Sequence, residues 1–407
     1  MGELSTTAAD EAARTVLGSL DQSDPYPAYA RLRSLAPVYV PARGPIVLTS
    51  YRAVSALLHT AHAGKDSDAR FQTLGMPDWR EHAGLKMMYD SILQIDEPDH
   101  GRLRRLVSKV FTPRRSEELR PRVRAVSARL IDDLREHADE PVDLIKRWAF
   151  PLPVAVIGEL IGVAAHERAQ FAEWVRDFAL SLEPGIGPDE VARCDVAAAH
   201  LSDYFRGLVA ARRREPRDDL ATALAGLDGL AEDELINMLV LLFAAGFETT
   251  THLLGNAVVA LARNPEQIRR WREQPGLAGN AVEEIVRYDS PVQLNSRVIQ
   301  SDVTIEGVRL PAGRVVFALL GAANRDPEQF PDPDRLDLAR PRVRAMSFGG
   351  GAHFCLGASL ARIEAAEALP ILLNAFQIEI DGKPPRRPGL AVHGYARLPV
   401  QLIRRPR

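Results

Sequence analysis

Phe348-Gly-Gly-Gly-Ala-His-Phe-Cys355-Leu-Gly357 places four glycines and one cysteine within ten residues. Three glycines in a row let the backbone take φ > 0 and approach a bulky flat group closely. The helical pattern of Leu356–Phe376 begins directly behind the cysteine. A Cys355 thiolate would then sit at a helix N-terminus, where amide donors and the positive dipole end lower a thiol's pKa. That environment suits a metal-ligating sulfur. A zinc site wants three or four ligands at short spacings, and no second cysteine is near. A lone thiolate fits a metal whose other ligands come from a cofactor, and haem is the leading case. For these residues alone, a buried free cysteine beside a glycine turn is the plain alternative. The only other cysteine, Cys194, lies in an Ala-rich helical segment and reads as structural.

The rest of the composition narrows the classes. The chain has 407 residues, 46% apolar and 26% charged, which is ordinary for a globular protein and excludes disorder or low complexity. Net charge is −3, so nothing points to nucleic acid as a partner. Five of the 51 basic residues are lysine, a bias that looks like GC-rich coding. Two cysteines are too few for a disulfide framework and fit a reducing compartment. MGELSTTAADEAARTV shows no secretory signal pattern, and the longest apolar run, Met238–Phe247, is far short of the ~20 residues that span a bilayer. The expectation is a soluble, cytoplasmic protein with no membrane partner.

Along the chain no repeat or linker is visible, so residues 1–407 read as one domain, with about 1–23 as an N-terminal extension. A strand pair is predicted at Pro37–Val40 and Ile46–Thr49, followed by a helix over Tyr51–Leu58. Residues 60–92 read as irregular. Helical spacing then dominates from Asp99 to Ile161, and over Ala165–Leu182, Asp189–Arg214, Glu232–Arg263, Leu277–Tyr288 and Leu356–Phe376. Strands are expected at Ser296–Ile299, Val303–Ile305 and Val315–Leu319. The class is mainly α with small β-sheets.

The cysteine loop closely resembles the haem-binding loop of the cytochrome P-450 family, Phe-Gly-x-Gly-x-His/Arg-x-Cys-x-Gly. Phe348, Gly349, Gly351, His353, Cys355 and Gly357 match all six fixed positions. Other family motifs follow in order. Glu284-Ile-Val-Arg287 looks like the Glu-x-x-Arg helix, with Arg335 standing where the family places a third partner; taken alone, the first pair is also what a surface ion pair looks like. Ala245-Gly-Phe-Glu-Thr249-Thr250 resembles the oxygen-activating segment, where Gly246 would leave room for a diatomic ligand. For those residues alone a helical Thr bonded back to the i−4 carbonyl and a solvated Glu248 read equally well. His100 and Arg104 share one helical face, and with Arg297 and His353 they match the family's partners of the haem propionates. The resemblance runs from about Asp24 to Val400. It implies the triangular, mainly helical fold of the family, with the long helix and the cysteine-loop helix on either side of the haem.

What the resemblance implies about chemistry is specific. The cofactor is haem b with Cys355 as the axial metal ligand. His100, Arg104, Phe111, Ala245, Thr249, Arg297, Phe348, Gly349, His353 and Gly357 would contact it, and Glu248 with Thr249 would deliver protons as the catalytic pair. The activity is that of a haem-thiolate monooxygenase that hydroxylates or epoxidises a lipophilic secondary metabolite. Met88, Ile92, Leu93, Leu242, Ala245, Val292, Leu294 and Val392 are expected to line the substrate pocket. A peroxide-driven enzyme is the first rival, but such relatives typically lack the acid–alcohol pair. A haem-free activator of a partner enzyme is the second, and Cys355 argues against it. No flavin or iron–sulfur motif is present, so electrons from NAD(P)H are expected through a ferredoxin and a ferredoxin reductase. Arg102, Arg105 and Lys109, opposite His100 on their helix, form a candidate docking stripe.

Overall fold

Glu232–Ala262 forms a helix of 31 residues, about 46 Å long at ~1.5 Å per residue. Glu232, Asp233 and Glu234 complement the positive end of its dipole, and the Glu234 carboxylate accepts the Ala231 N–H at 2.9 Å. Asn264-Pro265 stops it, since a proline ring cannot continue the ladder. It is the one helix among the described residues long and apolar enough to cross a membrane, and 78% of its apolar window is buried inside the fold. The computed structural model of the protein describes residues 7–18, 24–137 and 140–405.

This central helix packs against Pro151–Ile161, Pro188–Arg214 and Ala358–Ala375. The last of these runs directly out of the cysteine loop, with Gly357 at its N-cap, and also packs on Arg120–Glu136 and Ala278–Tyr288. Two large apolar clusters result. One joins Leu235–Phe247 of the central helix to Met88, Ile92, Phe171 and Phe205. The other joins Leu253–Leu261 to Ile285, Leu369 and Leu372. The fold is mainly helical, as expected.

A five-stranded sheet flanks the helices. Its order is Val38–Tyr39, Ile46–Leu48, Val315–Leu319, Leu294–Ile299, Ala63–Gly64. Ile46–Leu48 runs parallel to Val315–Leu319, in the register Ile46↔Val316, and the other pairs are antiparallel. All five residues of Val315–Leu319 are buried, which is why it reads as an unbroken apolar run. Pairing Arg297 with Val316 sets the Arg297 strand between Val315–Leu319 and Ala63–Gly64.

Three sequence expectations change. Residues 60–92 are not irregular: they contain the helices Ser67–Leu74 and Ala83–Tyr89. Asp66 caps the first by accepting Ala69 N–H at 3.1 Å, and Phe71, Trp79 and Tyr89 pack with ring centroids 4.6–5.8 Å apart. Long-range aromatic packing supplies what the short segments lack in periodicity. Residues 165–182 are not one helix: a 3₁₀ stretch, Ala165–Gln170, leads into the helix Phe171–Phe178 and a second 3₁₀ turn. The stretch read as an N-terminal extension holds a helix, Ala8–Gly18, whose Ala12, Ala13 and Val16 are buried against Tyr29 and Leu32; residues 1–6 and 19–23 lie outside the described residues.

Candidate active site

The cysteine loop owes its shape to its glycines. Gly349 and Gly351 have φ of +71° and +64°. A Cβ on Gly351 would come within 2.2 Å of the Leu58 carbonyl oxygen, so this position excludes any side chain on two grounds. Cys355 N–H closes the loop on the Phe348 carbonyl at 2.9 Å, and Gly349 N–H bonds Met346 O at 2.8 Å. Phe348 lies under the Arg362 guanidinium, 4.3 Å from ring centroid to carbon. Cys355 is exposed, yet the protein packed around its sulfur desolvates the thiol and pushes its pKa up, against the N–H groups of Gly357 and Ala358 and the cations Arg104 and Arg362, which favour the thiolate. Desolvation is the larger effect, and the charge of a bound metal is what makes such a sulfur a thiolate.

A buried ion network holds the loop from behind. Glu284 and Arg287 are fully buried and bidentate, with Arg287 Nε and Nη2 donating to Oε2 and Oε1 at 2.7 and 2.8 Å. The third partner is Arg340, whose Nε donates to Glu284 Oε1 at 3.1 Å. Arg335, the expected third member, is exposed and contributes only its carbonyl oxygen, which accepts from both Arg287 and Arg340. The turn Phe330–Arg340 folds back, so the side chain that reaches the carboxylate comes five residues later. Arg287 also donates to Asn324 O at 2.9 Å, and Asn324 in turn bonds Met346 N–H and Ser347 Oγ, directly before Phe348.

On the central helix, Thr249 Oγ1 donates to Ala245 O at 2.9 Å, the i−4 back-bond. Gly246 does not face the side expected of it. A Cβ there would meet Ile157 Cγ1 at 2.8 Å, so this glycine serves the close approach of helix Pro151–Ile161. Glu248 is not solvated: Arg387 Nη1 meets its Oε1 at 2.5 Å, and His252 Nε2 lies 3.5 Å from the same oxygen. Burial raises its pKa, but His252 and Arg387 outweigh that and hold the carboxyl below its usual range.

The strongest electrostatic feature lies at the edge of the sheet. The His100 and His353 rings meet at 4.1 Å between centroids, tilted by 41°, and His100 Nε2 is buried without a hydrogen-bond partner. Arg104 Nη2 donates to Phe354 O at 2.8 Å. Arg297 and Lys65 converge on Asn295 Oδ1 and Ser296 O, the Lys65 amine at 3.3 Å from each. Burial, then neighbouring positive charge from Arg297 and Arg70, pushes the Lys65 pKa well down. Burial brings Arg297 to about 10, and burial with the surrounding cations brings His353 to about 2. The nearby carboxylates do not balance this. Asp96 Oδ2 accepts from Lys65 N–H and Gln300, and Glu97 is mostly exposed, 3.8 Å from His100. The site calls for a ligand with anionic groups at one edge, and a haem carries two carboxylates at its edge, so the residues fit that group. Sequence reading missed Lys65. Its signal was its residue type, one of five lysines in a chain that otherwise uses arginine.

The remaining expected residues scatter. Met88, Ile92 and Phe111 are buried in one apolar cluster, with Leu93 and Leu242 packed against it. Leu294 and Val392 belong to a second cluster, Val292 packs on a third, and Ala245 is exposed on the central helix. Val292 and Val392 meet in an isolated antiparallel bridge. Cys194 is buried, its thiol 3.6 Å from Phe178 O and pushed up to about 12 by burial, in keeping with a structural role. Arg102 leaves the proposed basic stripe: it is tied to Asp99 and Glu234 and donates to Gly229 O at 3.0 Å, while Arg105 and Lys109 are exposed.

Comparison with known proteins agrees with this geometry. A profile described as Cytochrome P450 matches residues 277–400. Cytochrome P450 107B1 of Saccharopolyspora erythraea is 43% identical over 319 residues, 76% of each chain. The chain belongs to the cytochrome P450 family. The 6-deoxyerythronolide B hydroxylase of the same organism is 37% identical over 402 residues, 93% of this P450 and 96% of the relative. The crystal structure of P450BioI in complex with an acyl carrier protein bearing hexadec-9Z-enoic acid aligns with a TM-score of 0.86 at 33% identity, covering 94% of this chain and 99% of that one. This P450 is accordingly a monooxygenase with the P450 fold; its cofactor is haem with a cysteine thiolate ligand, and its electrons come from redox partners.

Proposed function

We propose that Cys355 is the thiolate ligand, that Lys65, His100, Arg104, Arg297 and His353 hold the haem's carboxylate edge, and that Glu248 and Thr249 form the proton-delivering pair. The observation that carries this reading is the excess of buried cations beside a glycine-shaped cysteine loop. When bound, the haem supplies the reductive activation of O₂, with the thiolate's electron donation favouring O–O cleavage. The protein's own part is positional. The Glu284–Arg287–Arg340 network fixes the loop that presents the sulfur. Thr249 holds a hydroxyl on the face of the central helix shared with Ala245, and Glu248 beside it carries the proton-exchanging carboxyl. Overall, substrate C–H, O₂, two electrons and two protons become alcohol and water.

The substrate is a lipophilic small molecule, with a secondary metabolite such as a macrolactone, terpenoid or peptide as our reading. The apolar character of Met88, Ile92, Leu93, Leu242, Val292, Leu294 and Val392 supports it, as does kinship with a macrolactone hydroxylase. We read the chain as a single cytoplasmic domain that takes electrons from a ferredoxin. The deciding test is the absorbance of the reduced carbonyl form. Wild type should give the band of a thiolate-ligated ferrous haem, and Cys355→Ser should lose it. A Cys355→Ser protein that keeps the band would overturn the ligand assignment. A type I spectral-shift screen across macrolactones, terpenoids and peptides then ranks substrates.

A further inference from the structure

The central helix is apolar over most of its length, yet Glu248, His252 and Asn256 recur every four residues and form one polar stripe. The loop 386–395 covers that stripe. Arg387 reaches Glu248, Arg386 Nη1 donates to Asn256 Oδ1 at 2.8 Å, and Asn256 Nδ2 donates to His393 O at 3.1 Å. Gly394 lies against the His252 imidazole. A Cβ there would stand 2.0 Å from Nδ1, so only glycine leaves the ring its place.

His252 is 7% exposed, and its Nδ1 is buried with no hydrogen-bond partner. A proton on Nδ1 would be an orphaned buried donor, whereas a proton on Nε2 faces the Glu248 carboxylate at 3.5 Å. The contacts thus place an N–H on Nε2, toward Glu248, and offer Nδ1 no partner. Arg387 and His252 converge on the same oxygen, Oε1. Arg387 alone would leave the carboxylate able to swing with the loop. A second N–H from one turn along the same helix meets that oxygen, and no hydrogen bond among the described residues engages Oε2. We propose that His252, held as the Nε2–H tautomer against Gly394, is a positioning residue that orients Glu248 toward Thr249. This rests on the reading of Glu248 and Thr249 as the proton-delivering pair. In this role His252 serves only as an Nε2–H donor, so an amide donor of similar reach can replace it.

The test uses the haem-loaded enzyme. Long-range ¹H–¹⁵N spectra of the ¹⁵N-histidine-labelled ferrous carbonyl protein should show His252, identified by its loss in His252→Gln, as the Nε2–H tautomer, with a signal that moves in Glu248→Gln. In parallel, hydrogen peroxide released per NAD(P)H consumed is measured with the compound giving the largest type I shift among macrolactone, terpenoid and peptide probes. His252→Phe should raise that ratio about tenfold, the order expected for one lost hydrogen bond to a charged group, with haem content and carbonyl spectrum unchanged. His252→Gln should stay near wild type. An Nδ1–H tautomer, wild-type coupling in His252→Phe, or equal uncoupling in His252→Gln would each overturn the proposal. Failure of the underlying reading looks different: Thr249→Ala would then couple normally. Should His252→Phe fail to load haem, the tautomer spectrum of the wild-type protein still decides.

Discussion

His353 of the cysteine loop packs against His100 of the Asp99–Val110 helix, 4.1 Å between ring centroids and tilted by 41°. Burial and the cations around it lower the His353 pKa to about 2, and burial lowers His100 as well. The positive charge at this edge therefore comes first from Arg104 and Arg297, and Lys65 adds a buried amine that a facing carboxylate would hold charged. Each is short of a carboxylate, and that shortage is what an anionic cofactor edge would relieve.

Lys65→Met tests it. The buried ammonium is costly in the cofactor-free fold and favourable once a carboxylate faces it. Haem transfer to excess apomyoglobin should speed up by about 10–100-fold, on the order of one charge-assisted hydrogen bond. The urea midpoint of the haem-free chain should hold or rise. Lys86→Met, on a surface pair with Asp90, should change neither. Wild-type haem retention in Lys65→Met would separate this lysine from the cofactor.

Arg340→Met and Arg335→Met should part company. Removing Arg340 leaves the fully buried Glu284 carboxylate with one cation instead of two, and single losses from buried ion networks cost roughly 3–5 kcal/mol. Removing the Arg335 side chain leaves its carbonyl in place and should cost less than about 0.5 kcal/mol, as for other surface changes. Denaturant unfolding measures both. Equal losses would return Arg335 to the network.

The difference between these two arginines shows what the sequence could carry. Cys355 and its glycines were legible because their constraint is local: Gly351 needs its φ and its missing Cβ whatever else the chain does. The long helix was legible because its caps and apolar run lie in one stretch. Arg340 and Lys65 were not, since their partners lie 56 and 230 residues away and meet them only after folding. Gly246 was assigned to the wrong neighbour for the same reason, as Ile157 approaches from another helix. The Glu248–His252–Asn256 spacing was present in the sequence, but nothing in it told that Arg387 and Gly394 would close over those residues.

The acid side of the stability profile should carry a signature of His393. Burial first, and then Arg386, bring its pKa from 6.5 to about 4, against the pull of Asp289. The unfolded chain then binds a proton between pH 6.5 and 4 that the folded chain refuses. Stability falls as pH falls through that window and is level above it. His393→Gln removes the difference, and the wild-type loss between pH 6.5 and 4 should shrink by about 3 kcal/mol. Asp289, whose pKa is lowered, acts below its ordinary value of 3.8 and so outside this window. Urea midpoints across pH 4–7 give the comparison, and parallel profiles for the two proteins would show that His393 titrates normally.

The redox partner should read two exposed cations and not three. Arg105 and Lys109 are exposed on the Asp99–Val110 helix, whose Arg104 meets the cysteine loop at Phe354 O. Arg102 is occupied by Glu234 and Asp99, so a charge change there disturbs the start of the central helix and tells nothing about docking. The informative protein is the double variant Arg105→Glu and Lys109→Glu, assayed with a ferredoxin and its reductase. A stripe that steers an acidic partner acts on the association rate, which screening weakens beyond a Debye length of ~10 Å at 0.1 M salt. Reduction of the P450 should therefore slow by about tenfold or more at ~0.01 M salt, where the Debye length is ~30 Å. The gap from wild type should close as salt rises, with haem content and the substrate spectral shift intact. An unchanged low-salt rate would place the docking site elsewhere and leave Arg105 and Lys109 as solvated surface.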